Sequence, residues 1–151
     1  MSPSMKEFER PLTQLGRKEI EEIAESLKDW DLKFDRIITS PLKRSKETAS
    51  IVAKILKIQD RLEDYDELKP EGSRSELYKR LSKIKQQSSI LVVGHEPYLS
   101  MMIGEIVAGN PNSHINLKKG GIAKIRIRTF SPKVSGELRW LLTPRQVRKA
   151  K

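Results

Sequence analysis

Ile90-Leu91-Val92-Val93-Gly94-His95-Glu96-Pro97 is an apolar run that ends in a histidine, and it holds the first candidate for chemistry in this chain. Ile90 to Val93 reads as a buried strand, and Gly94 to Pro97 as the turn leaving it. In an open α/β sheet, ligands bind just past the carboxyl ends of the strands. His95 stands at such an end. Taken alone, the pattern favours a hydrogen-bonded turn histidine, and a second stretch shifts the balance.

That stretch is Arg36-Ile37-Ile38-Thr39-Ser40-Pro41-Leu42-Lys43-Arg44-Ser45-Lys46-Glu47-Thr48-Ala49. It too reads strand, polar turn, helix. Ser40-Pro41 breaks the strand, and Pro41 suits the first turn of a helix, where its missing N–H has no partner to lose. Arg44 then falls in or near that first turn. A helix N-terminus offers free N–H groups and partial positive charge, so it suits an anion. A guanidinium there can hold a phosphate through two parallel hydrogen bonds. Lys43 and Lys46 read as solvated neighbours.

The elements that must position these residues are legible in the periodicity. Thr13 can cap a helix whose Ile20, Ile23, Ala24 and Leu27 share one face. Strand Arg36–Thr39 follows, then a helix with Ala49, Val52, Ala53 and Leu56 at the same spacing. A short strand or extended loop is expected near Arg61–Leu68. Ser73 and Glu76 have capping-box spacing and open a helix carrying Leu77, Leu81 and Ile84. After strand Ile90–Val93, Leu99, Met102, Ile103, Ile106 and Val107 make a further helix, ended by Gly109-Asn110-Pro111. Ala123, Ile125 and Ile127 alternate with Lys124, Arg126 and Arg128 in a half-exposed strand. Leu138, Trp140 and Leu142 mark the last one.

Composition narrows the function classes. At 151 residues the chain is long enough for one well-filled core, and no repeat, linker or low-complexity segment divides it. The absence of cysteine removes a disulfide framework, a thiolate nucleophile and any cysteine-ligated metal. With no apolar membrane span and no apolar signal-peptide core, the expectation is a cytoplasmic protein that does not engage membranes. Thirty Lys and Arg against twenty Asp and Glu give a net charge of +10. The aromatic content of 5% leaves few platforms for base stacking, so nucleic acid is disfavoured and an acidic, phosphorylated partner is preferred. The basic tail Arg145 to Lys151 reads as frayed, with no specific task.

Thr39-Ser40-Pro41-Leu42-Lys43-Arg44, Thr48-Ala49 and Val93-Gly94-His95-Glu96-Pro97 resemble the histidine phosphatase superfamily, most closely its small SixA-type phosphohistidine phosphatases. Arg10-Pro11-Leu12-Thr13-Gln14-Leu15-Gly16, Leu117-Lys118-Lys119-Gly120-Gly121 and Trp140-Leu141-Leu142-Thr143-Pro144 are similar to that subgroup in the same order. The resemblance implies a single α/β domain over residues 1–151, of three-layer α/β/α form. Its sheet is expected to be mixed, mostly parallel and phosphoglycerate mutase-like, lacking or replacing the family's first strand.

That first strand is the main departure. Family members open with a strand ending in Arg-His-Gly, and its histidine accepts the phosphoryl group. This chain has no Arg-His-Gly, and its histidines are His95 and His114. Three explanations follow: a start inside a longer protein, a truncated and inactive product, or a slot filled by Met1–Glu9 or by a partner's strand in an oligomer. The intact hydrophobic patterning elsewhere favours the first.

By resemblance, the function implied for the intact form is metal-independent, cofactor-free hydrolysis of phosphohistidine on another protein, or of another phosphomonoester. Arg44 and His95 would be the catalytic groups, and Ser40 would join them in binding phosphate. The alternative is an inactive phosphate- or phosphoprotein-binding module. Glu63 to Glu67 lies where larger members carry a general acid. Glu67, Glu96 and His114 are read here as solvated residues without a catalytic role.

Overall fold

The computed structural model describes residues 9–149. Met1–Phe8, offered above as a replacement strand, lies outside the described residues. Helix α1 spans Gln14–Asp29, strand β1 Arg36–Thr39, α2 Lys43–Leu56, β2 Leu62–Asp64 and α3 Arg74–Leu81. Then come β3 Ile90–Val93, α4 Tyr98–Ala108, β4 Ile122–Thr129, β5 Ser135–Leu142 and the short α5 Pro144–Lys149.

The strands form two sheets. One is parallel, in the order β2-β1-β3, with Thr39 opposite both Asp64 and Val93. The other is the antiparallel hairpin β4-β5. The expectation of one mixed sheet is therefore corrected: among the described residues, the hairpin is not hydrogen-bonded to β3.

Alternation along β1 sorts the core onto two faces. Ile37 points to a cluster with Ala24, Leu27, Ala49, Val52 and Ala53 from α1 and α2. Ile38 points to a cluster with Leu77, Tyr78, Leu81, Met102 and Ile106 from α3 and α4. Both isoleucines are wholly buried. Ile38→Ala is expected to cost about 2–5 kcal/mol, since a closely packed site collapses only in part around a deleted side chain. Chemical denaturation should show a lower midpoint at an unchanged slope.

β3 departs from the sequence expectation. All four of its residues are half-buried, whereas Ile37, Ile38 and Thr39 of β1 are fully buried. A parallel strand is hidden by neighbours on both sides and helices on both faces. β3 pairs only with β1 among the described residues, so its other edge supplies no such cover.

Local signals place the remaining elements. Thr13 Oγ1 accepts the Gly16 N–H at 3.0 Å, and Ser73 Oγ accepts that of Glu76 at 3.1 Å, so both expected caps form. Helix α3 stops at Leu81 rather than continuing to Ile84, which still packs on the core from the turn beyond. The basic tail is not frayed as far as Lys149. Val147 is wholly buried, Thr143 and Gln146 cap each other's backbone, and Arg148 lies 3.7 Å from Glu22. No helix among the described residues is long and apolar enough to cross a membrane.

Candidate functional site

The parallel pairing of Thr39 with Val93 sets Ser40 and Gly94-His95 at one level beyond the sheet. The Ser40 N–H donates to the Val93 carbonyl at 3.0 Å and extends that ladder by one bond. His95 Nε2 then meets Ser40 Oγ at 2.7 Å, across 55 residues of sequence. Ser40 Oγ also accepts the Leu42 N–H at 3.2 Å. The hydroxyl keeps its proton and a second lone pair, so it can donate to Nε2 or accept from it according to the ring's tautomer.

Ser45 completes this contact from α2. Its hydroxyl lies 3.4 Å from each ring nitrogen of His95 and 3.4 Å from the Gly94 carbonyl. Sequence reading missed Ser45, although a signal existed. It sits four residues before Ala49 and seven before Val52, on the stripe that α2 buries. His95 is 6% exposed, and Ser40 and Ser45 are buried with it.

Burial pulls the His95 pKa below the ordinary imidazole value of 6.5, and the nearby Glu71 carboxylate opposes that shift. The ring is thus neutral at neutral pH. The unfolded chain then binds more protons, so this site's contribution to stability is complete above 6.5 and declines as pH falls below it.

Arg44 occupies the first turn of α2, directly before Ser45, as the spacing predicted. The helix starts two residues later than expected. Leu42 is its N-cap, with extended backbone, and Pro41 precedes it, while Ser40 Oγ accepts the Leu42 N–H ahead of the helix. Lys46 is not merely solvated, for it pairs with Asp64 at 3.0 Å.

Two of the three residues read as solvated behave differently. Glu96 caps the turn: its Oε1 accepts the Ser100 N–H at 3.0 Å and its Oε2 bonds the Ser100 hydroxyl. Ser100 Oγ in turn accepts the Leu117 N–H at 2.9 Å, tying the Leu117–Gly121 turn to the site. Burial raises the Glu96 pKa and these bonds to Ser100 partly offset it. Glu67 is bridged to Arg80 at 2.9 Å. Only His114 matches the expectation, exposed in a polar loop with φ of 65°.

Residues 7–81 match the family model of the histidine phosphatase superfamily (branch 1). The chain is 32% identical over 120 residues to an uncharacterized protein of Picosynechococcus sp., covering 78% of this chain and 72% of that protein. The chain belongs to the histidine phosphatase superfamily. Within it, the phosphohistidine phosphatase SixA of Escherichia coli is 26% identical over 144 residues, covering 94% of this chain and 86% of that one. A solved structure of the protein histidine phosphatase SixA, complexed with tungstate, matches at a TM-score of 0.77 and 25% identity. It covers 89% of this chain and 85% of its own. The superfamily's α/β fold, with a parallel sheet and a hairpin, is therefore the architecture of this chain.

Proposed function

We propose that this protein holds the phosphoryl group of a phosphohistidine-bearing protein, in the manner of the SixA-type phosphatases, with Ser40, Arg44 and His95 as its ligands. The observation that carries this reading is the buried His95–Ser40 contact of 2.7 Å, set beside the first turn of the helix that bears Arg44. The tungstate on a SixA relative supports it, since tungstate is a tetrahedral oxyanion like phosphate. The net charge of +10 suits an acidic macromolecular partner, and the cysteine-free composition suits a reducing cytoplasm.

The chemistry follows from charge. A phosphoryl group in transfer spreads negative charge over its equatorial oxygens, so positioned donors do most of the work. His95 is neutral before an anion arrives. A dianion beside it favours the charged ring, so binding draws a proton onto His95 and turns both nitrogens into donors. Transfer itself needs an attacking nitrogen. Attack on phosphorus breaks the P–N bond of a substrate ring already protonated on its other nitrogen, so imidazole leaves neutral, and water then adds to phosphorus and releases phosphate from the attacking histidine. The only other histidine of this chain, His114, lies exposed in a loop. In the family that nitrogen arrives on a strand, and the edge of β3 that has no partner strand among the described residues is where such a strand would pair.

The second reading, a non-catalytic binding module, is favoured by the same fact: the described site contains one histidine. Titration with inorganic phosphate and hydrolysis of a phosphohistidine protein separate the two. Arg44→Ala is expected to weaken phosphate about 10- to 100-fold, the scale of a charge-assisted bond, in a variant whose circular dichroism shows the fold retained. Phosphate affinity untouched by that change would remove Arg44 from the site.

A further inference from the structure

A groove of about 1100 Å³ runs between α1 and α2. Arg17 of α1 pairs with Glu47 of α2, and Glu47 Oε1 also accepts the Leu12 N–H at 3.1 Å, so the two helices start side by side. Further along, Ala24 and Leu27 pack with Ala49, Val52 and Ala53, so the helices run in the same direction. Helix α2 starts just past β1, at the end of the sheet where Ser40 and His95 meet. The groove therefore begins beside the phosphoryl site and leads away from it for about four helical turns, roughly 20 Å.

Its two walls differ in charge. Lys43, Lys46, Ser50, Lys54 and Lys57 recur at spacings of three and four, so they form one exposed stripe along α2 to its C-cap. Lys46 is engaged by Asp64 at 3.0 Å, whereas Lys43, Lys54 and Lys57 make no ion pair among the described residues. The α1 wall carries Glu21 and Glu25, one turn apart. Ile51 and Ile55, also one turn apart and half-buried, add apolar surface to the groove. Lysines kept only for solubility need neither that apolar strip nor an acidic wall opposite. Lys43 directly precedes Arg44, so the basic wall reaches the turn that bears the phosphoryl ligand.

We propose that this groove docks an amphipathic helix of the protein whose phosphoryl group the site holds, with an acidic edge against α2 and a basic edge against α1. The identity of that protein as the phosphoryl carrier rests on the phosphoryl-binding reading above. An apolar seam flanked by charged edges is how packed helices fix partner and direction. The seam here is Ile51 and Ile55, and the edges are the lysine stripe and the Glu21–Glu25 wall. Unlike walls also discriminate among anionic partners. A nucleic acid strand would meet Glu21 and Glu25 as well as the lysines, whereas a helix with two unlike edges satisfies both. Once seated, the helix raises the local concentration of its protein's phosphoryl group at Arg44.

A stapled helical peptide of about four turns, with leucines on one face, glutamates along one edge and lysines along the other, tests the groove on the full chain by fluorescence anisotropy. It is expected to bind, and Lys54→Glu with Lys57→Glu should weaken it about tenfold, the scale of two exposed charges reversed. Inorganic phosphate should bind wild type and double variant equally. A peptide with lysines on both edges should show the opposite preference and bind the double variant better. Phosphoserine, a stable phosphoryl carrier, should tighten the first peptide when added at one of its two ends, and Arg44→Ala should remove that gain. A peptide that does not bind, or binds wild type and double variant equally, overturns the groove. So does a single-stranded oligonucleotide that outcompetes the peptide, or a dimerisation of the chain that the double variant abolishes. If peptide binding follows the charges while inorganic phosphate does not bind, the phosphoryl reading falls and the docking surface stands. If phosphate binds but phosphoserine adds nothing at either end, the link between groove and site is overturned.

Discussion

His95→Ala is expected to weaken inorganic phosphate about a hundredfold and to lower any phosphohistidine hydrolysis by about 10²- to 10³-fold. The ring is the one group of the site that changes charge near neutral pH, so its loss should also alter the pH profile. Its pKa lies below 6.5 in the free protein and is raised by a bound dianion. Binding therefore takes up a proton. Affinity grows as pH falls from the bound-state value toward the free-state one, then levels off. In His95→Ala that rise should vanish and leave only the titration of phosphate itself. His95→Asn keeps a hydrogen-bonding side chain beside Ser40 but cannot take the proton, so it should lose the same pH dependence with less damage to packing. Calorimetric titration across pH 5–8 reads both effects. A proton uptake unchanged in either variant would show that His95 does not contact the anion.

Local sequence carried much of this fold because the signals concerned are local. The alternation Ile37/Ile38 put one residue on each face of the sheet, and the apolar residues of α1, α2 and α4 fell on the faces that pack. The errors came where a contact outside the periodic pattern decides. Leu42 is the N-cap of α2 and Pro41 precedes it, while Ser40 Oγ holds the Leu42 N–H, a contact that periodicity does not register. Ile84 kept the helical spacing, yet it reaches the core from a turn after α3 has ended. The half-buried β3 could not be told from a buried strand by its residues, since cover depends on which strand lies alongside.

The site divides in the same way. His95 and Arg44 were found because each sits at an element end, where sequence marks a turn. Their common location was not readable, for it depends on the parallel register of β1 against β3. Ser45 and Glu96 were underestimated because their partners, His95 and the Ser100–Leu117 link, come from other turns. A serine or glutamate on a helix end looks solvated until the neighbouring loop is placed.

Turnover should appear when a histidine is delivered to the edge of β3 that pairs with no strand among the described residues. That edge presents Ile90 and Val92 toward one apolar cluster and Leu91 and Val93 toward the other. A strand that pairs there must be apolar on both faces, as in any interior parallel strand. Strand addition of this kind draws its affinity from main-chain bonds and its register from the side chains. A synthetic peptide of five apolar residues followed by Arg-His-Gly, lying parallel to β3, would bring its histidine level with Gly94-His95. Added to the full chain, it is expected to raise the melting temperature in proportion to occupancy and to convert phosphate binding into phosphohistidine hydrolysis. The same peptide with alanine for histidine should raise the melting temperature equally and leave hydrolysis at background, because it restores the sheet without the attacking nitrogen. A stabilising peptide that brings no hydrolysis in either form would establish the protein as a binding module. A peptide that does not stabilise the chain at all would mean that the edge of β3 is not open to a strand, and the nucleophile would then have to reach Arg44 and His95 by another route.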